Sequence, residues 1–141
     1  MNKNLKKVTL LSILTITISA STVACALGNW TSEVSVQTPN WGKALEVRSA
    51  YDGKDTNSAN GSIYATYQKT SLKHQVCLAY QNVNKGLSEG STWATMEVDV
   101  IKRPELKVIE LFRAYYTMAK SHNLEPTNNT LIKYKFSADS L

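Results

Sequence analysis

The chain has 141 residues, with 16 basic and 11 acidic side chains, a formal net charge of +5 and two cysteines. This length suits one domain with a single core, and two cysteines exclude a framework of several disulfides. Three of the lysines lie before residue 8, so the remainder has 13 basic and 11 acidic residues and lacks the basic cluster of a nucleic-acid binder. We therefore expect no nucleic-acid partner.

Residues 1–26 have the pattern of a secretory signal peptide. Three lysines and no acid precede an apolar run at 8–18, and small residues follow the run. The run is shorter than the roughly 20 residues that a permanent membrane-spanning helix needs. Its lysines and its Thr/Ser/Ile-rich core resemble the signals of Gram-positive bacteria. The sequence predicts a secreted, single β-rich domain at residues 27–141, with no transmembrane helix after cleavage.

Two processing routes fit the end of this signal. Ala24, Cys25 and Ala26 form an Ala-x-Ala cleavage site, which would release a soluble chain that begins at Leu27. The same Ala-Cys pair is used in lipoprotein processing, which would make Cys25 a lipidated N-terminus. Thr22 stands where a lipoprotein signal usually has leucine. We therefore favour secretion, with lipid anchoring through Cys25 as the alternative.

Short runs rich in Val, Ile, Tyr and Thr follow, separated by Gly/Asn/Ser-rich turns. The predicted strands are 32–37, 44–51, 63–68, 76–81, 93–101 and 131–137. Predicted turns include 52–61, 82–86 and 88–91. Six strands spaced by turns predict a mainly-β fold, a small antiparallel β-sandwich or a curved sheet or barrel.

Two of these runs alternate clearly between apolar and polar residues. In 94–100, Thr95, Glu97 and Asp99 alternate with apolar residues, and in 131–137 two lysines alternate with Ile, Tyr and Phe. This period of two predicts strands with one buried face.

Residues 104–122 carry two competing patterns. Pro104 at the start and Asn123 just beyond the end are typical helix boundaries. The aromatic run 112–118 instead favours a strand, with Phe112 and Tyr116 on one face. The fold therefore has either one covering helix or none.

Few residues suit catalysis or metal binding. His74 and His122 belong to no catalytic motif, and both are expected to be exposed loop residues. Cys77 lies in an apolar stretch and is expected to be buried. The Asp- and Asn-rich loop 52–61 does not place ligands at calcium-loop spacing and is interpreted as a hydrophilic connection. No catalytic residue, metal site or cofactor is predicted.

The tryptophans are the candidate ligand-contacting residues. Trp30, Trp41 and Trp93 flank strands or lie in turns, where their rings could form a binding surface for sugars or a belt at a membrane interface. A weaker candidate is the pair Glu97 and Asp99, whose two carboxylates resemble the requirement of a glycoside hydrolase.

The sequence favours a monomeric, non-enzymatic binding domain for a cell-surface, glycan or protein ligand. One alternative is a secreted bacteriocin-like or toxin-like antagonist that acts on another cell's envelope. A second alternative is a secreted wall or polysaccharide hydrolase.

Overall fold

The computed structural model describes residues 29–69, 72–126 and 130–141, so the predicted signal peptide and Cys25 lie outside it. In the described part, strands form two antiparallel sheets and no helix is present. The strands are β1 (Val34–Gln37), β2 (Leu45–Gly53), β3 (Ser62–Gln68), β4 (Gln75–Gln81), β5 (Leu87–Glu89), β6 (Ala94–Thr95), β7 (Ile101–Lys102), β8 (Ala114–Lys120) and β9 (Leu131–Ser137). The predicted mainly-β sandwich is confirmed. Nothing in the described ranges forms a helix that could span a membrane.

The two sheets draw their strands from distant parts of the chain. The first sheet has the order β1-β9-β3-β7. The second sheet has the order β2-β8-β4-β5, and β6 also pairs with β4. Since β1 and β2 lie in different sheets, as do β8 and β9, the chain crosses from one sheet to the other after β1 and again after β8, both times at the same end of the sandwich.

The core lies between the inner faces of the sheets. In the first sheet Ile63 pairs with Phe136, and both side chains are fully buried. Tyr134 projects from this sheet, and its Oη lies 2.6 Å from the Oγ1 of Thr117 in the second sheet. Each fully buried large apolar side chain stabilises the fold by about 1.5–3 kcal/mol. The hydrogen bond with Thr117 pairs the polar Tyr134 hydroxyl inside this core.

The two ends of the sandwich are distinguished by the strands that begin and finish there. At the C-terminal end, β2 finishes, β3 begins and β9 finishes at Ser137. Residues 103–113 pass over this end, from β7 in the first sheet to β8 in the second. Isolated bridges from Asn60 to Glu105 and from Ser91 to Leu106 fix that segment. The opposite end, where β2 begins and β8 finishes, is called the far end.

The alternative of a helix within 104–122 is wrong. Residues 114–120 form β8, which is paired with β2 on one side and with β4 on the other. Tyr115, Thr117 and Ala119 alternate into the core and are fully buried. A helix would remove the central strand of this sheet. The run 112–118 does place Tyr116 on the other, partly exposed face, but Phe112 lies before the strand.

The single strand predicted at 93–101 is also wrong. Only β6 and β7 form there, and they belong to different sheets. Of the apolar residues in the alternating pattern Met96 is fully buried, whereas Val98 and Val100 are 41% and 39% exposed. The chain crosses between sheets here, and Asp99 has a left-handed backbone with φ 62°. The alternation therefore does not correspond to one sheet face.

The turn predicted at 88–91 begins instead as strand β5. The hairpin before it is stabilised by Asn82, whose Oδ1 accepts hydrogen bonds from the backbone N–H groups of Asn84 and Gly86. Leu87 then pairs with Gln81, so the predicted turn at 82–86 is present and β5 follows it directly.

Candidate functional site

A groove on the outer face of the first sheet is the candidate ligand site. Tyr64 on β3 pairs with Ile101 on β7 and with Lys135 on β9, so the three residues form a row across adjacent strands. Trp30, which precedes β1, lies beside this row, with its ring centroid 6.1 Å from that of Tyr64 and the planes inclined by 54°. These four residues line a concave volume of about 240 Å³.

The groove combines an apolar floor with a few polar groups. Trp30 and Tyr64 supply aromatic surface, Ile101 is 39% exposed, and Lys135 brings a cation. Ligand sites are usually apolar concavities in which a few placed polar groups fix orientation, and they commonly span about 300–1,000 Å³. The groove is smaller than this, which suits one ring-sized unit of a ligand.

A carboxylate beside the groove fixes the tyrosine. The Tyr64 hydroxyl donates a hydrogen bond to Asp99 Oδ1 at 2.8 Å, and this bond raises the pKa of Tyr64. The backbone N–H of Asp99 donates to the carbonyl of Ala65 at 2.9 Å, so the carboxylate is held next to β3. A ligand in the groove would meet the Tyr64 hydroxyl and the Lys135 side chain, with the Asp99 carboxylate beside them.

The three candidate tryptophans lie in separate places. Trp30 lies on the outer face of the first sheet. Trp93 lies on the second sheet, where its ring is 4.2 Å from the Lys120 Nζ and its Nε1 donates to Glu89 at 2.8 Å. Trp41 lies in the loop between β1 and β2 at the far end and is 57% exposed. Among the residues described, Trp30 is the tryptophan with another aromatic ring beside it.

The carboxylates Glu97 and Asp99 have different partners. Glu97 Oε1 lies 3.1 Å from the ammonium groups of both Lys73 and Lys102, and these bonds hold the pKa of Glu97 below its usual range. Asp99 instead accepts the hydrogen bond from Tyr64. A glycosidase general acid needs a raised pKa. The two positive neighbours of Glu97 oppose that role.

The prediction that His74 is an exposed loop residue is wrong. Its side chain is fully buried, Nε2 donates to the Thr130 carbonyl at 2.9 Å, and Nδ1 lies 3.1 Å from Gln68 Oε1. Burial lowers the pKa of His74 more than the Thr130 carbonyl and the Glu125 carboxylate raise it. His74 therefore acts as a structural link between segments. His122 is exposed, as predicted.

Cys77 is buried, as predicted. It is fully shielded from solvent, and burial raises the pKa of its thiol to about 12. Because the thiolate is the reactive form, this cysteine is unsuited to nucleophilic or redox chemistry in the folded state.

The hydrophilic loop 52–61 contains its own cation. The Lys54 ammonium is fully buried and lies 2.8 Å from Asp139 Oδ1, 2.8 Å from Ser58 Oγ and 3.0 Å from the Ala138 carbonyl oxygen. These oxygens thus already surround a positive charge. Within the described ranges, no group of three or more His, Cys, Asp or Glu side chains is arranged to hold a metal ion.

A second concavity lies at the far end. It has a volume of about 380 Å³ and is lined by Leu72, Lys73, Gln75, Thr95 and His122. Its lining has no aromatic platform except the imidazole of His122, so it offers less apolar contact to a ligand than the groove at Trp30.

Tyr64, Ile101 and Lys135 are groove residues that sequence reasoning missed. The sequence places Lys135 on the polar face of 131–137, but it does not show that Tyr64 and Ile101 lie beside it. The row depends on the pairing of β3 with β9 and β7, which are separated from β3 by many residues.

Comparisons with protein-family models, with curated proteins and with solved structures find no match for this chain. Its fold and site define an all-β, two-sheet domain with an aromatic groove.

Proposed function

We propose that this exported domain is a non-enzymatic binding module that recognises a glycan through the groove at Trp30. The observation that carries the proposal is the partly exposed Trp30 ring beside the row Ile101, Tyr64 and Lys135. An aromatic face packs against the C–H groups of a sugar ring, while hydroxyl, carboxylate and ammonium groups at its edge bond sugar hydroxyls.

The charges at the groove narrow the ligand class. Lys135 lines the groove directly, whereas the Oδ1 of Asp99 already accepts a hydrogen bond from the Tyr64 hydroxyl. A cationic ligand would be repelled by the lysine ammonium. A neutral or acidic sugar is therefore the preferred ligand, and a glycan of a cell surface is its expected source.

The test is binding of the purified protein to insoluble peptidoglycan, chitin and cellulose and to soluble acidic polysaccharides in affinity electrophoresis. We expect Trp30→Ala to weaken binding by about tenfold or more, because a buried aromatic contact contributes about 1.5–3 kcal/mol. Tyr64→Phe should weaken it less, since the ring remains and only the hydroxyl bound to Asp99 is lost.

Trp93→Ala is the matched control, because Trp93 lies on the other sheet beneath Lys120. Its binding should equal that of the unmodified protein, provided that circular dichroism shows both variants folded. Unchanged binding by Trp30→Ala would refute the groove as the site. Failure of the unmodified protein to bind any of these glycans would refute the glycan proposal.

A further inference from the structure

An apolar loop projects from the C-terminal end of the sandwich. This apolar loop, residues 108–113, contains Ile109, Leu111 and Phe112, which are 47%, 40% and 86% exposed. Single exposed apolar residues are common on protein surfaces, but here three lie within four positions of one loop, with the exposed Glu110 between the first two. This local apolar patch is a candidate surface for a partner.

The loop is held in its projecting conformation by the rest of the fold. The Phe112 N–H donates to the Lys54 carbonyl at 2.7 Å, and the Lys54 N–H donates to the Arg113 carbonyl at 3.1 Å. The Tyr115 hydroxyl donates to the Val108 carbonyl at 2.6 Å. Phe112 has φ 62°, a left-handed conformation that is unfavourable for a residue with a side chain. The structure thus maintains backbone strain at a residue whose ring contacts solvent, which is typical of functional positions.

The course of the N-terminal segment indicates what covers this patch. The Thr31 N–H donates to the Phe136 carbonyl at 2.9 Å, and the Phe136 N–H donates to Thr31 Oγ1 at 3.1 Å. The chain therefore enters the sandwich beside the last residues of β9, at the C-terminal end. Cys25 is four residues before Asn29, which corresponds to a reach of at most roughly 14 Å. A lipid on Cys25 would bring a bilayer to the end that carries the apolar loop.

We propose that the apolar loop packs into the interfacial layer of a lipid bilayer, with the C-terminal end of the sandwich facing the membrane. The exposed side chains of Ile109, Leu111 and Phe112 would enter the boundary between headgroups and acyl chains. The strained backbone keeps the Phe112 ring directed outward for this contact. This inference takes up the lipid-anchored alternative for Cys25; it concerns a different surface from the sugar groove and does not depend on glycan binding.

The experiment places an environment-sensitive NBD fluorophore on a cysteine introduced by Ile109→Cys. Cys77 is fully buried and the pKa of its thiol is about 12, so the introduced thiol reacts first. Protein recovered after export is used, in which Cys25 is either removed with the signal or blocked by lipid. Vesicles of phosphatidylethanolamine and phosphatidylglycerol are then added. We expect a several-fold increase and a blue shift of the emission.

Leu124→Cys provides the matched control, because Leu124 is 68% exposed in a turn at the far end. Its fluorophore should show no change with vesicles. Adding Phe112→Ser to the Ile109→Cys protein should reduce the vesicle-dependent change by about tenfold at limiting lipid, as expected for loss of one buried aromatic side chain. A thermal unfolding measurement verifies that this variant is folded.

Three results would overturn the proposal. One is no vesicle response at position 109, and another is an equal response at position 124. The third is a blue shift that rises with protein concentration in the absence of lipid, which would assign the patch to self-association. Glycan binding is measured without lipid, so either proposal can fail while the other stands.

Discussion

His74 is a buried histidine whose lowered pKa makes the free energy of unfolding depend on pH. Burial lowers its pKa from the ordinary 6.5, so the folded state holds the proton less tightly than the unfolded state. In the range between the two pKa values the unfolded chain binds more protons, and stability rises with pH. The contribution of His74 to the stability of the folded state is therefore present above about pH 6.5 and is lost as the pH falls below that value.

We predict that the free energy of unfolding falls between about pH 7.5 and pH 5.5, and that His74→Gln reduces this pH dependence. Urea unfolding of the unmodified protein and of the variant, followed by circular dichroism at several pH values, measures the two pH dependences. The matched control is His122→Gln, which removes the exposed histidine in place of the buried one. An identical pH profile for all three proteins would contradict the assignment to His74.

Among the connecting elements, the apolar loop contains a strained residue whose substitution gives a clear prediction. Phe112 has φ 62° and makes few packing contacts because it is 86% exposed. Glycine adopts this backbone region without the steric penalty of a Cβ atom. We predict that Phe112→Gly raises the free energy of unfolding by about 0.5–1 kcal/mol.

Phe112→Ala is the control for this prediction, since it removes the ring but keeps the Cβ atom. Its free energy of unfolding should stay close to that of the unmodified protein in urea titrations. A loss of stability in Phe112→Gly would show that the ring stabilises the fold through contacts. If the loop binds a bilayer, Phe112→Gly should gain stability and lose membrane affinity together.

The same elements explain which strands could be predicted from the sequence. β9 was predicted with its correct bounds, because its apolar residues face one core and its lysines face solvent. β4 was recognised to within one residue from its apolar run. The segment 93–101 was misread because its alternation arises while the chain crosses between sheets. Local periodicity reports burial along one face, and it carries no information on a change of sheet.

The candidate site was predictable only in part, for a related reason. Trp30 was identified as a ligand-contacting candidate from its position before a strand. Tyr64, Ile101 and Lys135 meet it through pairings of β3 with β7 and β9, and such register cannot be read from one sequence. His74 shows the same limit, since its hydrogen bond to the Thr130 carbonyl joins it to a residue 56 positions away.

At the scale of the whole molecule, the buried ion pair of Lys54 and Asp139 joins the two sheets. Lys54 directly follows β2 in the second sheet, and Asp139 lies two residues after β9 in the first. Their side chains are 0% and 3% exposed, and Asp139 also accepts hydrogen bonds from the backbone N–H groups of Asp55 and Thr56. Burial raises the pKa of Asp139, but these donors and the Lys54 ammonium together hold it below its usual value.

We predict that Lys54→Met lowers the free energy of unfolding by about 3–5 kcal/mol, because it leaves the buried Asp139 carboxylate without its counter-charge. Asp139→Asn should have a comparable effect, since it leaves the Lys54 ammonium uncompensated. The double variant should lose less than the sum of the two single variants. In the unmodified protein, the stabilisation due to Asp139 should be lost as the pH falls below about 3.8 through its lower folded-state pKa.

The exposed pair of Lys107 and Glu89 is the matched control for this prediction. Its N–O distance is 2.6 Å, shorter than the 2.8 Å of the buried pair, but its side chains are 47% and 41% exposed. Water screens exposed pairs, so Lys107→Met should leave the urea midpoint nearly unchanged. Burial, and not distance, would then determine the contribution of each ion pair. Equal losses for Lys54→Met and Lys107→Met would contradict a structural role for the buried pair in holding the sheets together.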